Sequence, residues 1–314
     1  MSTQEWFTTG VSREPDQALA LELVRVTEAA AIAAGRWVGR GEPDSGRAAA
    51  TVAMHEHLTS VPVRGTVVIG EGGQDDTPAL RIGDDVGFGD GPECDLGIRV
   101  GHGALSPVKD VPNSLAVIAV AEPGALYVPP PAVVVEKLAV GSDCGDVVDI
   151  TRPVAENLRA VAAVKGVRAS DLVVAVLDRP RHRELMNEIR AAGARVHVLQ
   201  GGDVAGAIAA ARSESSVDVL LGTGGAEAGV IAAAALSCLG GSLQVRLRFA
   251  GVDKVLHTGD LLRGGRVLFC ATGVTTSELL RGVQNRSGRI STESMVLCSK
   301  PDTVRMVRSE HRFA

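Results

Sequence analysis

LVVAVLDRPRHRELMNEIRAAGARVHVLQGGDVAGAIAAARSESSVDVLLGTGGAEAGVIAAAALSCLG, residues 172–240, decides the fold class. LVVAVLD, ARVHVLQ and VDVLLGTGG are short apolar runs rich in β-branched residues. Each is followed by a helical pattern: PRHRELMNEIRAAG, then DVAGAIAAARS, then AGVIAAAALSCLG. Strands alternating with helices of about a dozen residues make βαβ units and a parallel-type sheet.

Upstream the rhythm differs. QALALELVRVTEAAAIAAGRWV at 17–38 carries apolar residues at helical spacing and predicts a long helix. GRGEPDSG then punctuates the chain, and Asp44 or Ser45 is placed to cap a second helix, RAAATVAMHEHL. GTVVIGEGG predicts a buried strand entering a Gly-rich loop, and LGIRV, SLAVIAVA and AVVVEKLAV predict further strands. This half is expected to pack helices on a largely antiparallel sheet. Beyond 240, RVLFCATG, ESMVLCSK and TVRMVRSEH add strands. The expected division is a polar arm at 1–16, an N-terminal α/β domain at 17–150 and a C-terminal α/β domain at 151–314. Two domains are also what a 314-residue chain suggests.

Composition narrows the function classes. A hydrophobic content of 45% with 37 glycines fits a globular protein with many turns. A net charge of −5 gives no reason to expect nucleic-acid binding. Charge or glycine breaks every apolar run before membrane-spanning length. The N-terminus lacks a basic region followed by an apolar one, so the cytoplasm is the expected location. Five cysteines without a CxxC pair read as thiols in a reducing compartment.

Three constellations could carry chemistry. Carboxylates crowd residues 71–95, with Glu71 and Asp75 just past a strand end. Such groups suit magnesium shared with a phosphate, and equally a solvated acidic loop. DRPRH at 178–182 puts Arg179 and Arg181 at a strand-to-helix junction, a good phosphate site or simply a basic helix start. QGGDVAG, GTGGAEAG and ATGVT each follow an apolar strand, and three in succession favour a ligand crevice at the strand ends. No P-loop, HExxH or GxSxG pattern occurs.

In this order along the chain, GRWVGRGE, VVIGEG, GDGPECD, AVVVEKLAVG, LDRPRH, GDVAGAI, GTGGAEAGVIAAAA and FCATGVT resemble the class II fructose-1,6-bisphosphatases of the GlpX type, from about residue 17 to 312. The resemblance implies an α/β (α+β layered) fold of the lithium-sensitive sugar phosphatase kind, with alternating helix and sheet layers and the site at a domain junction. It implies magnesium- or manganese-dependent removal of the 1-phosphate of fructose 1,6-bisphosphate, by a dimer or tetramer of identical chains.

Carried over residue by residue, the resemblance keeps Glu71 as a metal-binding glutamate and Asp75 as the acid that helps activate water. Elsewhere this chain departs from the family. The family lysine after GRG falls on Pro43 and a metal-binding aspartate on Arg47. In CDLGIRVGHGALS, 94–106, a second metal-binding aspartate is Arg99, the following acid is His102, the threonine is Ala104, and only Gly103 survives. In GGAEAG, Glu227 stands on the family proline and Ala228 on the metal-binding glutamate. Arg179 and Arg181 remain on the phosphate positions and Asp203 on the sugar position. The connection between about 246 and 258 is shorter than the family pattern.

Two arginines in place of two aspartates repel a divalent cation by several kcal/mol per pair, at an effective dielectric of about 20. The expectation is therefore a protein that binds a phosphorylated sugar or a related small anion and needs no metal cofactor. Arg47 and Arg99 would hold a phosphate or carboxylate directly, beside Gly103. Glu71, Asp75 and His102 would serve as acid/base groups. A non-catalytic sensor or inactive subunit fits the same residues. So does a surviving magnesium or manganese bisphosphatase with Glu71, Asp75, Asp95 and Glu227 re-aimed.

Overall fold

The computed structural model describes residues 17–71, 79–100, 111–130, 133–249, 251–286 and 288–312. The expected arm at 1–16, Asp75, His102 and Gly103 lie outside the described residues. In chain order come α1 (Ala20–Gly35), α2 (Pro43–Leu58), β1 (Arg64–Ile69), β2 (Asp85–Val86), β3 (Glu93–Val100), β4 (Leu115–Ala121) and β5 (Val134–Val140). Then follow α3 (Val154–Lys165), β6 (Val173–Leu177), α4 (Arg183–Ala191), β7 (Arg195–Leu199), α5 (Asp203–Ala211), β8 (Val219–Gly225) and α6 (Ala226–Leu239). The chain ends with β9 (Ser242–Phe249), β10 (Val252–His257), α7 (Thr258–Leu261), β11 (Val267–Gly273), β12 (Gln284–Arg286), β13 (Arg289–Ser299) and β14 (Asp302–Arg312).

Two sheets organise these elements. One runs β12-β13-β11-β4-β3-β1-β2, with β14 paired to β13. It is antiparallel except where β1 meets β3. The other runs β10-β9-β5-β8-β6-β7. Only β6 with β7 and β6 with β8 are parallel there, and the remaining pairs are antiparallel. AVVVEKLAV, grouped by position with the N-terminal strands, forms β5 of this second sheet, while β11–β14 complete the first. A strand's sequence states its burial but not its neighbour, because pairing is settled by whichever edge the chain reaches.

The layering explains which strands are apolar throughout. In β4 (LAVIAVA) every residue is buried. Ala116, Ile118 and Val120 pack in the core under α1 and α2, and Leu115, Val117, Ala119 and Ala121 pack in the core that contains α6. In β5, Leu138 and Val140 face the core under α3 and α4, while Val135 and Ala139 face the α6 core. The order is therefore helices, sheet, helices, sheet, helices. α6 lies in the middle layer, touched by both sheets, with eleven of its fourteen residues buried. A helix apolar all round is one enclosed on all sides, and its alanine run lets the sheets approach.

The expected helix at 17–38 is α1 preceded by a turn of 3-10 helix at Gln17–Leu19. α2 starts earlier than its caps predict. A proline opens it, and Asp44 and Ser45 lie inside the first turn rather than before it. The five cysteines are buried and free. Burial pushes the thiols of Cys94, Cys238 and Cys270 up to about 12 and that of Cys144 up to about 11. No helix among the described residues is long and apolar enough to cross a membrane.

Candidate functional site

Because β6 runs parallel to β7 and β8, the carboxyl ends of these three strands open on one side. There they deliver Arg179 and Arg181 after β6, Asp203 at the start of α5 after β7, and the turn from β8 into α6. Ligand crevices of open α/β sheets form at such ends. The five residues Thr223, Gly224, Gly225, Ala226 and Glu227 link three side-chain clusters.

The first cluster is built on Thr223. Arg181 donates from Nε to Thr223 Oγ1 at 2.7 Å and from Nη2 to the Thr223 carbonyl at 2.9 Å. Arg179 donates from Nη1 to the carbonyls of Asp178 and Gln200 at 2.7 and 3.1 Å. Arg181 is exposed and Arg179 half-buried, and the N–H groups of Arg181 not used on Thr223 face outward to an anion. Beneath them His182 is 1% exposed. Its Nε2 accepts the Thr223 N–H at 2.9 Å and lies 2.9 Å from Thr223 Oγ1, and its Nδ1 lies 2.8 Å from the Leu177 carbonyl. Nε2 is thus an acceptor and the ring proton sits on Nδ1, which makes the imidazole neutral.

Burial holds the His182 pKa below its ordinary 6.5. The Leu177 carbonyl opposes that shift, and the Arg181 and Arg179 guanidiniums add to it. Since the folded value is the lower one, the unfolded chain binds the extra proton as pH drops below about 6.5. The stability conferred by neutral His182 is complete above that pH and is lost as pH falls through the folded pKa. Urea denaturation of wild type and His182→Gln, from about pH 7.5 to about pH 5, should give a stability difference that shrinks with acidification. A pH-independent difference would contradict a neutral working imidazole.

The second cluster is the ion pair Lys137–Asp203, Nζ to Oδ2 at 2.6 Å, with side chains 4% and 7% exposed. Asp203 Oδ1 also accepts the Val204 N–H at 3.1 Å in the first turn of α5. Gly224 passes directly over the pair. A Cβ there would stand 2.9 Å from Asp203 Oδ2 and 3.1 Å from Lys137 Nζ, so only glycine leaves both groups in place.

The third cluster is centred on Arg99. β1 and β3 are parallel, and Ile69 at the end of β1 pairs with Gly97, which puts Glu71 beside the last residues of β3. Glu71 Oε1 accepts the Val100 N–H at 2.8 Å and lies 3.8 Å from Arg99 Nη1. Arg99 Nη2 donates to Glu227 Oε2 at 2.8 Å. The close approach of α6 to β3 depends on Gly97, where a Cβ would meet Ile231 Cδ1 at 2.6 Å. Gly97 and Arg99 share a strand face, and Glu227 lies one turn before Ile231, so that contact brings Glu227 to Arg99. The side chains of Glu71, Arg99 and Glu227 are 6%, 15% and 29% exposed. Arg99 Nε is buried with no acceptor among the described residues.

Other candidates fall elsewhere. Arg47, in α2, bonds Asp44 Oδ1 at 2.7 Å, with both side chains largely solvated. Asp95 sits at the opposite end of β3, next to Thr66, where Oδ2 accepts the Gly124 N–H at 2.7 Å. Burial raises its pKa, against that hydrogen bond. It lines a separate cleft of about 470 Å³ with Arg64, Asp85 and Glu93. Among the described residues no group of three or more His, Cys, Asp or Glu side chains is placed to hold a metal ion. Sequence reasoning missed Lys137, His182 and Thr223. A lysine next to Glu136 in a strand whose other residues are apolar was the available signal for the first, since a buried ammonium requires a partner.

The family described as bacterial fructose-1,6-bisphosphatase, glpX-encoded, matches residues 17–311. Fructose-1,6-bisphosphatase 1 class 2 of Escherichia coli K12 is 37% identical over 319 residues, covering 93% of this chain and 95% of the relative. The class 2 fructose-1,6-bisphosphatase of Shigella flexneri has the same identity and coverage. Similarity at that level favours the magnesium or manganese alternative over the expectation of no metal. The two arginines must be weighed against it.

Proposed function

Given that the chain belongs to the bacterial GlpX-type fructose-1,6-bisphosphatase family, we propose that it binds a phosphorylated sugar in the family cleft and has exchanged the hydrolytic metal centre for an internal ion cluster. One observation carries this reading. Arg99 takes Glu71, the glutamate on a family metal position, together with Glu227 in the first turn of α6. A guanidinium among the donors stays cationic at any working pH, so these residues do not fit a magnesium or manganese ion.

On this reading Arg179 and Arg181 hold the phosphate through their outward N–H groups, and Asp203, paired with Lys137, orients sugar hydroxyls. Glu71, with Asp75 and His102 from the segments outside the described residues, is the acid/base set of a metal-independent reaction in the cytoplasm. Arg99 does hold carboxylates, but the chain supplies them. The rival reading, a metal-dependent bisphosphatase, is favoured by the retained Glu71 and by the activity for which the relatives are named.

Phosphate release from fructose 1,6-bisphosphate at saturating magnesium or manganese separates the two. Our reading expects release indistinguishable from a no-enzyme blank, while a GlpX-type control turns over. Turnover near the control's would restore the metal-dependent bisphosphatase. A non-catalytic sensor would bind sugar phosphates without converting any of them, and product analysis on sugar phosphates tests that.

A further inference from the structure

We infer that Thr223 and His182 are positioning residues for ligand phosphate: a hydrogen-bond chain from Arg181 through the Thr223 hydroxyl to His182 holds the guanidinium in one plane, with its outer edge set for two phosphate oxygens. The inference rests on the reading of Arg179 and Arg181 as the groups that hold the phosphate, and deepens it. The chain is local to two neighbouring strands. β6 and β8 pair in parallel, so the turn after β6, which carries Arg181 and His182, meets the end of β8, which carries Thr223.

Donors and acceptors along the chain are fixed one by one. A guanidinium only donates, so Arg181 Nε and Nη2 give their protons to Thr223 Oγ1 and to the Thr223 carbonyl. Nε and Nη2 form one edge of the planar group, and two bonds along that edge stop it turning. The other edge, Nη1 with the second Nη2 hydrogen, faces away from Thr223 and matches the fork geometry of a phosphate. Thr223 Oγ1 accepts from Arg181, so its own proton goes to His182 Nε2, 2.9 Å away. His182 Nε2 accepts only while the ring proton stays on Nδ1, and the Leu177 carbonyl, 2.8 Å from Nδ1, keeps it there. Packing fixes the ring itself, which is 1% exposed. An exposed arginine held by nothing would lose rotamer freedom on binding, at a cost in affinity, and one already held does not.

Isothermal titration of the full chain with fructose 1,6-bisphosphate and with fructose 6-phosphate, in EDTA, tests the inference. Thr223→Val keeps the shape and removes the hydroxyl, and should bind about tenfold or more weakly, the loss of a hydrogen bond to a charged group. Thr223→Ser restores the hydroxyl and should stay within about threefold of wild type. Arg181→Lys keeps the charge but not the fork, and combining it with Thr223→Val should lose less than the sum of the two single effects, because both break one unit. In the 15N NMR spectrum, the His182 ring, assigned by its loss in His182→Gln, should be neutral and protonated at Nδ1. Wild-type affinity in Thr223→Val, a serine variant as weak as the valine one, or additive losses would overturn the inference and leave the phosphorylated-sugar reading standing. So would a His182 ring protonated at Nε2. If Thr223→Val does not fold, the serine variant and the ring spectrum still decide: a serine variant about tenfold weaker, or the wrong tautomer, overturns it. Binding of neither sugar phosphate by wild type would overturn the underlying reading and this inference with it.

Discussion

Lys137→Met is expected to lower the free energy of unfolding by about 3–5 kcal/mol, measured by urea denaturation. The variant keeps a chain of similar length in β5 and removes the ammonium 2.6 Å from Asp203 Oδ2. Asp203 is then a carboxylate 7% exposed that has lost the ammonium bonded to it and keeps hydrogen bonds such as that from the Val204 N–H. The loss comes from stranding a charge, not from forfeiting a strong attraction. The double variant Lys137→Met/Asp203→Leu should therefore recover most of it, because an apolar pair of similar volume carries no desolvation cost. A single-variant loss under about 1 kcal/mol would mean that Asp203 finds another cation or takes up a proton at little cost. Sugar-phosphate affinity separates the two roles of the pair: the double variant should be stable and still bind poorly, since Asp203 is the group proposed to orient hydroxyls.

Arg99→Met is expected to cost about 2–3 kcal/mol, less than Lys137→Met because water reaches the Glu227 side of the cluster. Without the guanidinium, Glu71 and Glu227 face each other as like charges with one side chain 6% exposed. Adding Glu227→Gln to Arg99→Met should then be less damaging than the sum of the single losses, with a coupling of about 1–2 kcal/mol in a double-mutant cycle. The same cluster predicts how the wild type responds to metal removal. If Arg99 neutralises these carboxylates, EDTA leaves the melting temperature of the purified protein unchanged, whereas a bound divalent cation would make it fall. Additive single losses, or a melting temperature that drops with EDTA, would remove Arg99 from the role assigned to it.

Much of the architecture was legible in the chain. The alternation through 172–240 specified strands and helices from local period alone, and β6, α4, β7, α5, β8 and α6 follow it. The apolar runs of β4 and α6 became enclosed elements, the first wholly buried and the second in eleven of its fourteen residues. The candidate site was legible only in part. Arg179, Arg181 and Asp203 were visible as strand-end residues in motifs. That Arg181 and His182 share Thr223 could not be read, because the bond spans 42 residues in one case and 41 in the other.

The sequence by itself determined the family, the succession of strands and helices, and the presence of Arg47 and Arg99 where the resemblance leads one to expect aspartates. Periodicity and residue identity are local properties, readable one position at a time. Only the tertiary structure decided what the substituted residues do. It moved β5 into the second sheet beside β8, which set Lys137 against Asp203. It brought α6 onto β3 at Gly97, which gave Arg99 a carboxylate 128 residues away. From the sequence Arg99 is a free cation awaiting a phosphate. In the fold it is a compensated one, because its charge balance is set by which chain segments pack together.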